Sequence, residues 1–288
     1  MSDKTPETLE PALYVVATPI GNLGDLSARA RQVLATVDRV YAEDTRHSQQ
    51  LFQRVGITAH VRSLHQHNER SRADEVAALV ADGGSAALVS DAGTPVISDP
   101  GGRLVDHFHT RALAVRAVPG PSAAVAALSV SGLSAEAFRF GGFLPSKAGA
   151  RDRTLSDVAD VTDTLVYYEA PHRVLATVRA MREHFGGGRR ATVVRELTKR
   201  FETVRRGPLD ALCEWVESDP DQQRGEIVLV VEGCAGADRA DAPAAVDAET
   251  VLQALTDALP PRQAASLAAR VFGGEKNHWY REILARKP

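Results

Sequence analysis

The 288-residue sequence predicts an α/β fold: two successive α/β domains, then a small helical module at the C-terminal end. Short apolar runs alternate with segments of helical periodicity from residue 13 onward, the order that gives a largely parallel sheet covered on both faces. The length exceeds what one hydrophobic core usually serves, so two domains are expected. Residues 236–247 are small and polar with little to bury, and read as a linker ahead of the last 41 residues, 248–288.

The elements follow in order. Leu13–Ala17 is a buried strand, and Leu26, Ala30, Val33, Leu34 and Val37 then fall on one helical face. Further strands are expected at Val40–Ala42, His60–Leu64, Ala86–Val89 and Leu113–Val118, with helices at Ser48–Arg54, Asn68–Ala81 (Asn68 as its cap) and Gly102–His109. The first domain is therefore 1–118. The second, 119–235, opens with a helix over Ser122–Val130 and continues with strands at Phe138–Gly141, Thr164–Tyr168, Ala191–Arg195, Phe201–Val204 and Glu226–Val231. Helices intervene at His172–His184 and Leu209–Glu217. The close strand pair around Thr198-Lys199-Arg200 predicts an antiparallel hairpin and so a mixed sheet. In the tail, Val251, Leu252, Leu255 and Leu259 form one helical face, Ala264, Leu267, Ala268 and Val271 another, and Gly273-Gly274 breaks the chain before a last basic helix.

Composition excludes several classes. No run approaches the roughly 20 apolar residues of a membrane span, and the first residues lack the order of a signal peptide, so a cytoplasmic protein without membrane contact is expected. Cys213 and Cys234 have no C-x-x-C spacing, which signals neither a disulfide framework nor a zinc site. His107 and His109 lie two apart on a helix and do not face each other, and His65 and His67 end a strand; no metal site is predicted. The net charge is −3, yet seven Lys/Arg stand against two Glu between Arg189 and Arg206, and six against two between Pro261 and Pro288. Two local basic surfaces on an acidic chain suit a polyanion; the plain alternative for each is a solvated face.

The loop Ser90–Gly101 follows directly on the run Ala86–Val89 and carries two Asp, two Pro and two Gly between Asp91 and Gly101. A carboxylate and small residues at the carboxyl end of a buried strand mark where open α/β sheets bind ligands. Two other motifs point elsewhere. Gly186–Ala191 has the G-x-G-x-x-A form, but it leads from helix to strand, the reverse of a dinucleotide fingerprint. Gly120-Pro121-Ser122-Ala123-Ala124 is near a nucleophile elbow with His172, His184 and His278 downstream, but flanking prolines restrict the turn and no Asp-then-His pair stands out.

Nine stretches taken in order resemble one family: Val16–Leu26, Glu43–Arg46, His67–Glu69, Ser90–Gly101, Val118–Ala123, Gly142–Pro145, Tyr168–Arg173, Arg195–Lys199 and Gly225-Glu226. Together they resemble the tetrapyrrole methylase family, in particular the branch that acts on small-subunit ribosomal RNA. The resemblance implies a tetrapyrrole methylase-like α/β fold with the donor cleft between the two domains, S-adenosylmethionine as methyl donor, the 2′-hydroxyl of a cytidine ribose in 16S rRNA (naked or in the small ribosomal subunit) as acceptor, and a homodimer. Methyl transfer from a sulfonium needs no metal. Pro19, Ser90, Asp91, Ala92, Gly93, Thr94 and Val96 would hold the donor's polar end, with free N–H groups at Ser122 and Ala123. Phe143, Leu144 and Tyr168 would wall the adenine, and Glu226 and Ile227 would close the cleft.

A ribose hydroxyl is a poor nucleophile, so alignment supplies much of the acceleration and a base adds to it. Glu43, Asp44, Glu69, Glu169 and Glu196 are alternative bases or hydroxyl-orienting groups. Arg46, Arg173, Arg195, Lys199 and Arg200 suit phosphates, as do Lys276 and Arg281 in the tail. Two further readings are a tetrapyrrole C-methyltransferase, which needs a broad apolar trough, and a non-catalytic RNA-binding assembly factor, which needs no donor pocket.

Overall fold

The computed structural model describes residues 9–65, 68–235, 248–274 and 276–285; the expected linker and His67 lie outside them. The chain divides into two compact units, Met1–Cys234 and Ala235–Pro288.

The first unit holds two five-stranded sheets. In the first, β1 (Leu13–Val16), β2 (Arg39–Ala42), β3 (Val61–Ser63), β4 (Ala86–Val89) and β5 (Val115–Val118) lie in the order β3-β2-β4-β1-β5. Every pairing is parallel. Alternate residues supply the two faces, as strand geometry requires. Tyr14, Val16, Val40 and Ala87 pack with α1 (Ala28–Thr36) and α2 (Thr45–Val55) through Val33, Leu34 and Phe52. Leu13, Tyr41 and Leu88 pack with α3 (Glu69–Ala81) and α4 (Gly102–Thr110) through Val76, Leu104 and Phe108. Phe108 is fully buried, a contribution of about 2–3 kcal/mol.

The second sheet follows α5 (Ala123–Ser131) and contains β6 (Phe138–Phe143), β7 (Thr164–Glu169), β8 (Arg190–Arg195), β9 (Thr203–Pro208) and β10 (Ile227–Val231). Its order is β6-β7-β10-β8-β9, with β6 and β7 parallel and the other pairs antiparallel. One face carries α6 (Ala148–Asp157), α7 (Val174–Phe185) and α8 (Leu209–Ser218) over Leu165, Tyr167, Val193 and Leu229. The other carries α5, whose Ala124, Ala127 and Leu128 meet Val166, Val194, Val228 and Val230; Ile20, from the loop after β1, joins that cluster.

Three expectations need correction. The strand expected at Phe201–Val204 begins at Thr203 and runs to Pro208, because residues 196–202 make a turn with Glu196 and Thr198 at positive φ. Helix α6 has no counterpart in the periodicity, since only Arg151 and Leu155 of it are buried. Asn68 stands at the start of α3, but its side chain accepts from the His65 N–H at 2.8 Å and donates to the Ser63 carbonyl, so it stabilises the preceding turn and not the helix.

The second unit contains α9 (Ala248–Ala258), α10 (Pro261–Phe272) and α11 (Lys276–Ala285). Leu252, Ala264, Ala265, Ala268 and Ile283 form its core, and the Trp279 indole donates to the Gly273 carbonyl at 2.7 Å. The buried face of α10 is rotated from the expected one: Ala265 is buried while Leu267 and Val271 are exposed, since small residues let the helices approach closely. Among the described residues no helix is long and apolar enough to cross a membrane.

Candidate active site

Both sheets of the first unit contribute to a cavity of about 380 Å³, a size suited to a small-molecule ligand. The loop after β4 supplies Ala92, Gly93, Thr94, Ile97, Ser98 and Asp99; the start of α5 supplies Ser122 and Ala123. From the second sheet come Phe143, Tyr168, Glu169, Val194, Leu197 and the stretch Gly225–Val228.

Local hydrogen bonding fixes these walls. The Thr94 hydroxyl donates to the Pro121 carbonyl at 3.0 Å, tying the β4 loop to the α5 start. Gly93 and Thr18 exchange backbone hydrogen bonds of 3.1 and 2.9 Å, and Gly93 has φ +81°. Ser122 caps α5 by position without a side-chain bond to the helix. The Tyr168 hydroxyl meets the Ala124 N–H and Ser122; burial raises its pKa, and its ring packs edge-on against Phe140 and Phe143. Glu196, at φ +53°, accepts from the Glu226 N–H at 2.9 Å and pairs with Lys199 at 2.8 Å. Burial opposes its ionisation, but Lys199 and the Glu226 N–H hold its carboxyl below the usual range.

Of the expected donor residues, Ala92, Gly93, Thr94, Ser122, Ala123, Phe143, Tyr168, Glu226 and Ile227 line the cavity. Others do different work. Leu144 is buried in the second core. Ser90 is buried and its hydroxyl reaches back to the Ala92 and Gly93 carbonyls. Pro19 is buried too, and the lining residue there is Ile20. Val96 packs its side chain against the first core at φ +76°, so that Ile97 and Ser98 face the cavity. The Asp91 carboxylate accepts from the Asp44 N–H at 3.2 Å, which ties the loop to the start of α2.

Several charged candidates already have partners within the chain. Glu69 is buried and one carboxylate oxygen accepts from the N–H groups of Gly101, Arg103 and Leu104, capping α4. Glu169 accepts from the Ala170 N–H and the Thr177 hydroxyl and pairs with Arg173, whose guanidinium also donates to the Leu144 and Pro145 carbonyls. Arg195 is buried and donates to the Phe201 carbonyl and the Thr203 hydroxyl. Asp44 caps α2 through the Arg46 and His47 N–H groups, which hold its carboxyl below the usual range. The Arg46 side chain is exposed.

The basic cluster between residues 189 and 206 is partly engaged as well. Arg189 donates to the Glu232 and Ala159 carbonyls, Arg190 pairs with Glu232, and Arg206 donates to the Gly132 carbonyl. Arg200 lies over the ring of Phe201 at 5.5 Å and Arg205 over Trp215 at 5.7 Å, both exposed. Lys276 and Arg281 are exposed on the tail. Among the described residues no group of three or more His, Cys, Asp or Glu is placed to hold a metal ion.

Asp99, like Ile20, Ile97, Ser98, Val194 and Leu197, lines the cavity without having been expected from the sequence. It is half-buried; burial, then the nearby charge of Glu43, push its carboxyl up to about 6, with Asp91 adding to the effect and Ser90 opposing it. Glu43 is raised in turn, by burial and then by Asp91. The available signal was the turn-rich length of the loop, longer than a connection needs.

The chain is similar to known proteins over most of its length. Residues 12–213 match the family model for tetrapyrrole (corrin/porphyrin) methylases, and 242–287 match the RsmI C-terminal HTH domain. The chain is 48% identical over 275 residues to the ribosomal RNA small subunit methyltransferase I of Pseudomonas aeruginosa, covering 96% of this chain and 97% of that protein. It is 43% identical to the protein of the same name from Vibrio cholerae, covering 97% and 96%. Among solved structures, the uroporphyrin-III-C-methyltransferase of Thermus thermophilus superposes with a TM-score of 0.53 at 20% identity, over 77% of this chain and 94% of the other, a likeness of fold.

Proposed function

The chain belongs to the tetrapyrrole methylase family, among relatives named ribosomal RNA small subunit methyltransferase I, and from that premise we propose that it methylates the 2′-hydroxyl of a cytidine ribose in 16S rRNA. It is an S-adenosylmethionine-dependent methyltransferase of small-subunit ribosomal RNA; the ribose and the cytidine are the finer reading. The observation that carries it is the two-sided cavity, whose apolar walls suit a purine and whose edge at the start of α5 offers N–H groups to a carboxylate terminus.

The residues present fit that donor. Ile20, Ile97, Phe143, Tyr168 and Leu197 would enclose the purine, and the first N–H groups of α5 would meet its polar end. When bound, S-adenosylmethionine supplies an electrophilic methyl group. The protein holds the acceptor oxygen in line and keeps water out, and such alignment accounts for a large part of the rate. Arg200 over Phe201 on the first unit and, separately, Lys276 and Arg281 on the tail are the RNA-contacting cations in this reading. The two-lobe division at 118/119, a homodimer and a cytoplasmic location belong to the same proposal.

The test is incubation with small ribosomal subunits and labelled donor, followed by mapping of the product. A 2′-O-methylcytidine is the expected result. A methyl group on a base nitrogen, or labelling of a tetrapyrrole in place of RNA, overturns the ribose assignment.

A further inference from the structure

The carboxylates near the cavity differ in what their oxygens already do. Those of Glu69 and Glu169 accept from buried N–H and hydroxyl groups, Asp44 caps α2, Asp91 meets the Asp44 N–H, and Glu196 is held by Lys199 and the Glu226 N–H. A carboxylate whose lone pairs are occupied is a weak proton acceptor. Glu169 and Glu226 line the cavity too, the first engaged as above and the second paired with Lys199 at 3.2 Å. Asp99 stands apart. It lies in the cavity wall on a segment that Val96 and Ser98 turn inward at φ +76° and +68°, with Tyr168 within its field. A β-branched residue held at such a φ is costly, and strain of that kind collects where function needs a fixed geometry.

We propose, resting on the methyl-transfer reading above, that the Asp99 carboxylate takes the proton from the substrate hydroxyl as the methyl group is transferred. The oxygen–methyl bond forms while the carbon–sulfur bond breaks, and the hydroxyl proton passes to Asp99. A methyl ether, a neutral thioether and a protonated carboxyl result, and the carboxyl then returns its proton to water. The groups that face Asp99 set its basicity. Glu43 after β2 and Asp91 after β4 carry like charge, the nearby Ser90 hydroxyl opposes them, and the Tyr168 phenol on β7 lies within its field. His65 acts on the same cluster through Glu43. The result is a carboxyl at about 6, ionised at neutral pH yet more basic than an ordinary Asp, which is what general-base catalysis favours. Because Glu43, Asp91 and Asp99 interact, the observed value belongs to the cluster.

The experiment compares wild type, Asp99→Asn and Glu43→Gln by kcat/KM for the donor on small ribosomal subunits from about pH 5 to 9, a ratio that reports free-enzyme groups. Donor binding is followed by calorimetry, and carboxyl ¹³C resonances of the protein alone are titrated. The expected results are an acid limb near 6 in wild type, its movement to lower pH in Glu43→Gln, and a rate at least about a hundredfold lower in Asp99→Asn with donor affinity kept. A carboxyl titrating near 6 should be missing from the Asp99→Asn spectrum. Asp99→Asn at close to wild-type rate, a loss of donor affinity that accounts for its whole defect, or an acid limb unmoved in Glu43→Gln overturns the proposal. The wild-type and Glu43→Gln profiles stand even if Asp99→Asn does not fold. No transfer to subunits by wild type, with Asp99 still titrating near 6, removes the methyl-transfer reading on which the proposal rests.

Discussion

Asp99 and Glu69 are both acidic and both partly or wholly withdrawn from water, yet their surroundings assign them opposite work. Glu69 meets three N–H groups, so Glu69→Ala leaves buried donors unpaired at the start of α4. It should cost about 2–3 kcal/mol, read as a lower midpoint of urea unfolding, with donor affinity of the folded fraction unchanged. Asp99 works against the fold. Its folded pKa, about 6, lies above the ordinary 3.8, so its stabilising contribution is complete below pH 3.8 and is lost as pH rises through 6. Asp99→Asn should therefore gain stability over wild type on going from acid to pH 8, by on the order of 1 kcal/mol for a half-exposed group. Equal pH dependence of the two melting temperatures would remove this account. The loop and its Asp91 were legible in the sequence as a carboxylate at the end of a buried strand, whereas the turn through Val96 and Ser98 that brings Asp99 to the cavity leaves no periodic trace.

Among the elements, those buried on both faces were legible. β1, β4 and β10 are unbroken apolar runs, and the helices over the first sheet show a regular stripe. Elements that bury little were not. Only Arg151 and Leu155 anchor α6, and Phe201 and Val204 are apolar residues that stay exposed, 63% and 41%, which drew the expected strand too far toward the N-terminus. The turn before β10 shows how local geometry reaches the site. Gly225 has φ +79°, and a Cβ there would lie 2.5 Å from the Glu196 side chain. Gly225→Ala should displace Glu196 from the Glu226 N–H, cost about 1–3 kcal/mol and weaken donor binding together with stability. Calorimetry and thermal melting on the same sample check it; a stable variant with wild-type affinity would show that this edge does not shape the cavity.

At the scale of the molecule, the cavity belongs wholly to the unit Met1–Cys234, while the exposed cations of the tail belong to Ala235–Pro288. Removing residues 235–288 should leave donor affinity within about threefold and reduce association with the small subunit by tenfold or more, because binding to a large particle sums many weak contacts. Co-sedimentation and calorimetry read the two effects separately, and equal loss of both would assign the tail to the donor site. The strand order has its own consequence. β10 lies at the centre of the second sheet although it is the last of its strands to be made, and it brings Ile227 and Val228 to the cavity. During synthesis β6 and β7 emerge without their central partner, as does the β8–β9 hairpin, and loops of such separation close slowly. The binding site is thus completed only when the ribosome has released residue 231, so a nascent chain halted earlier carries a first sheet but half an enzyme, with unpaired strand edges exposed to aggregation.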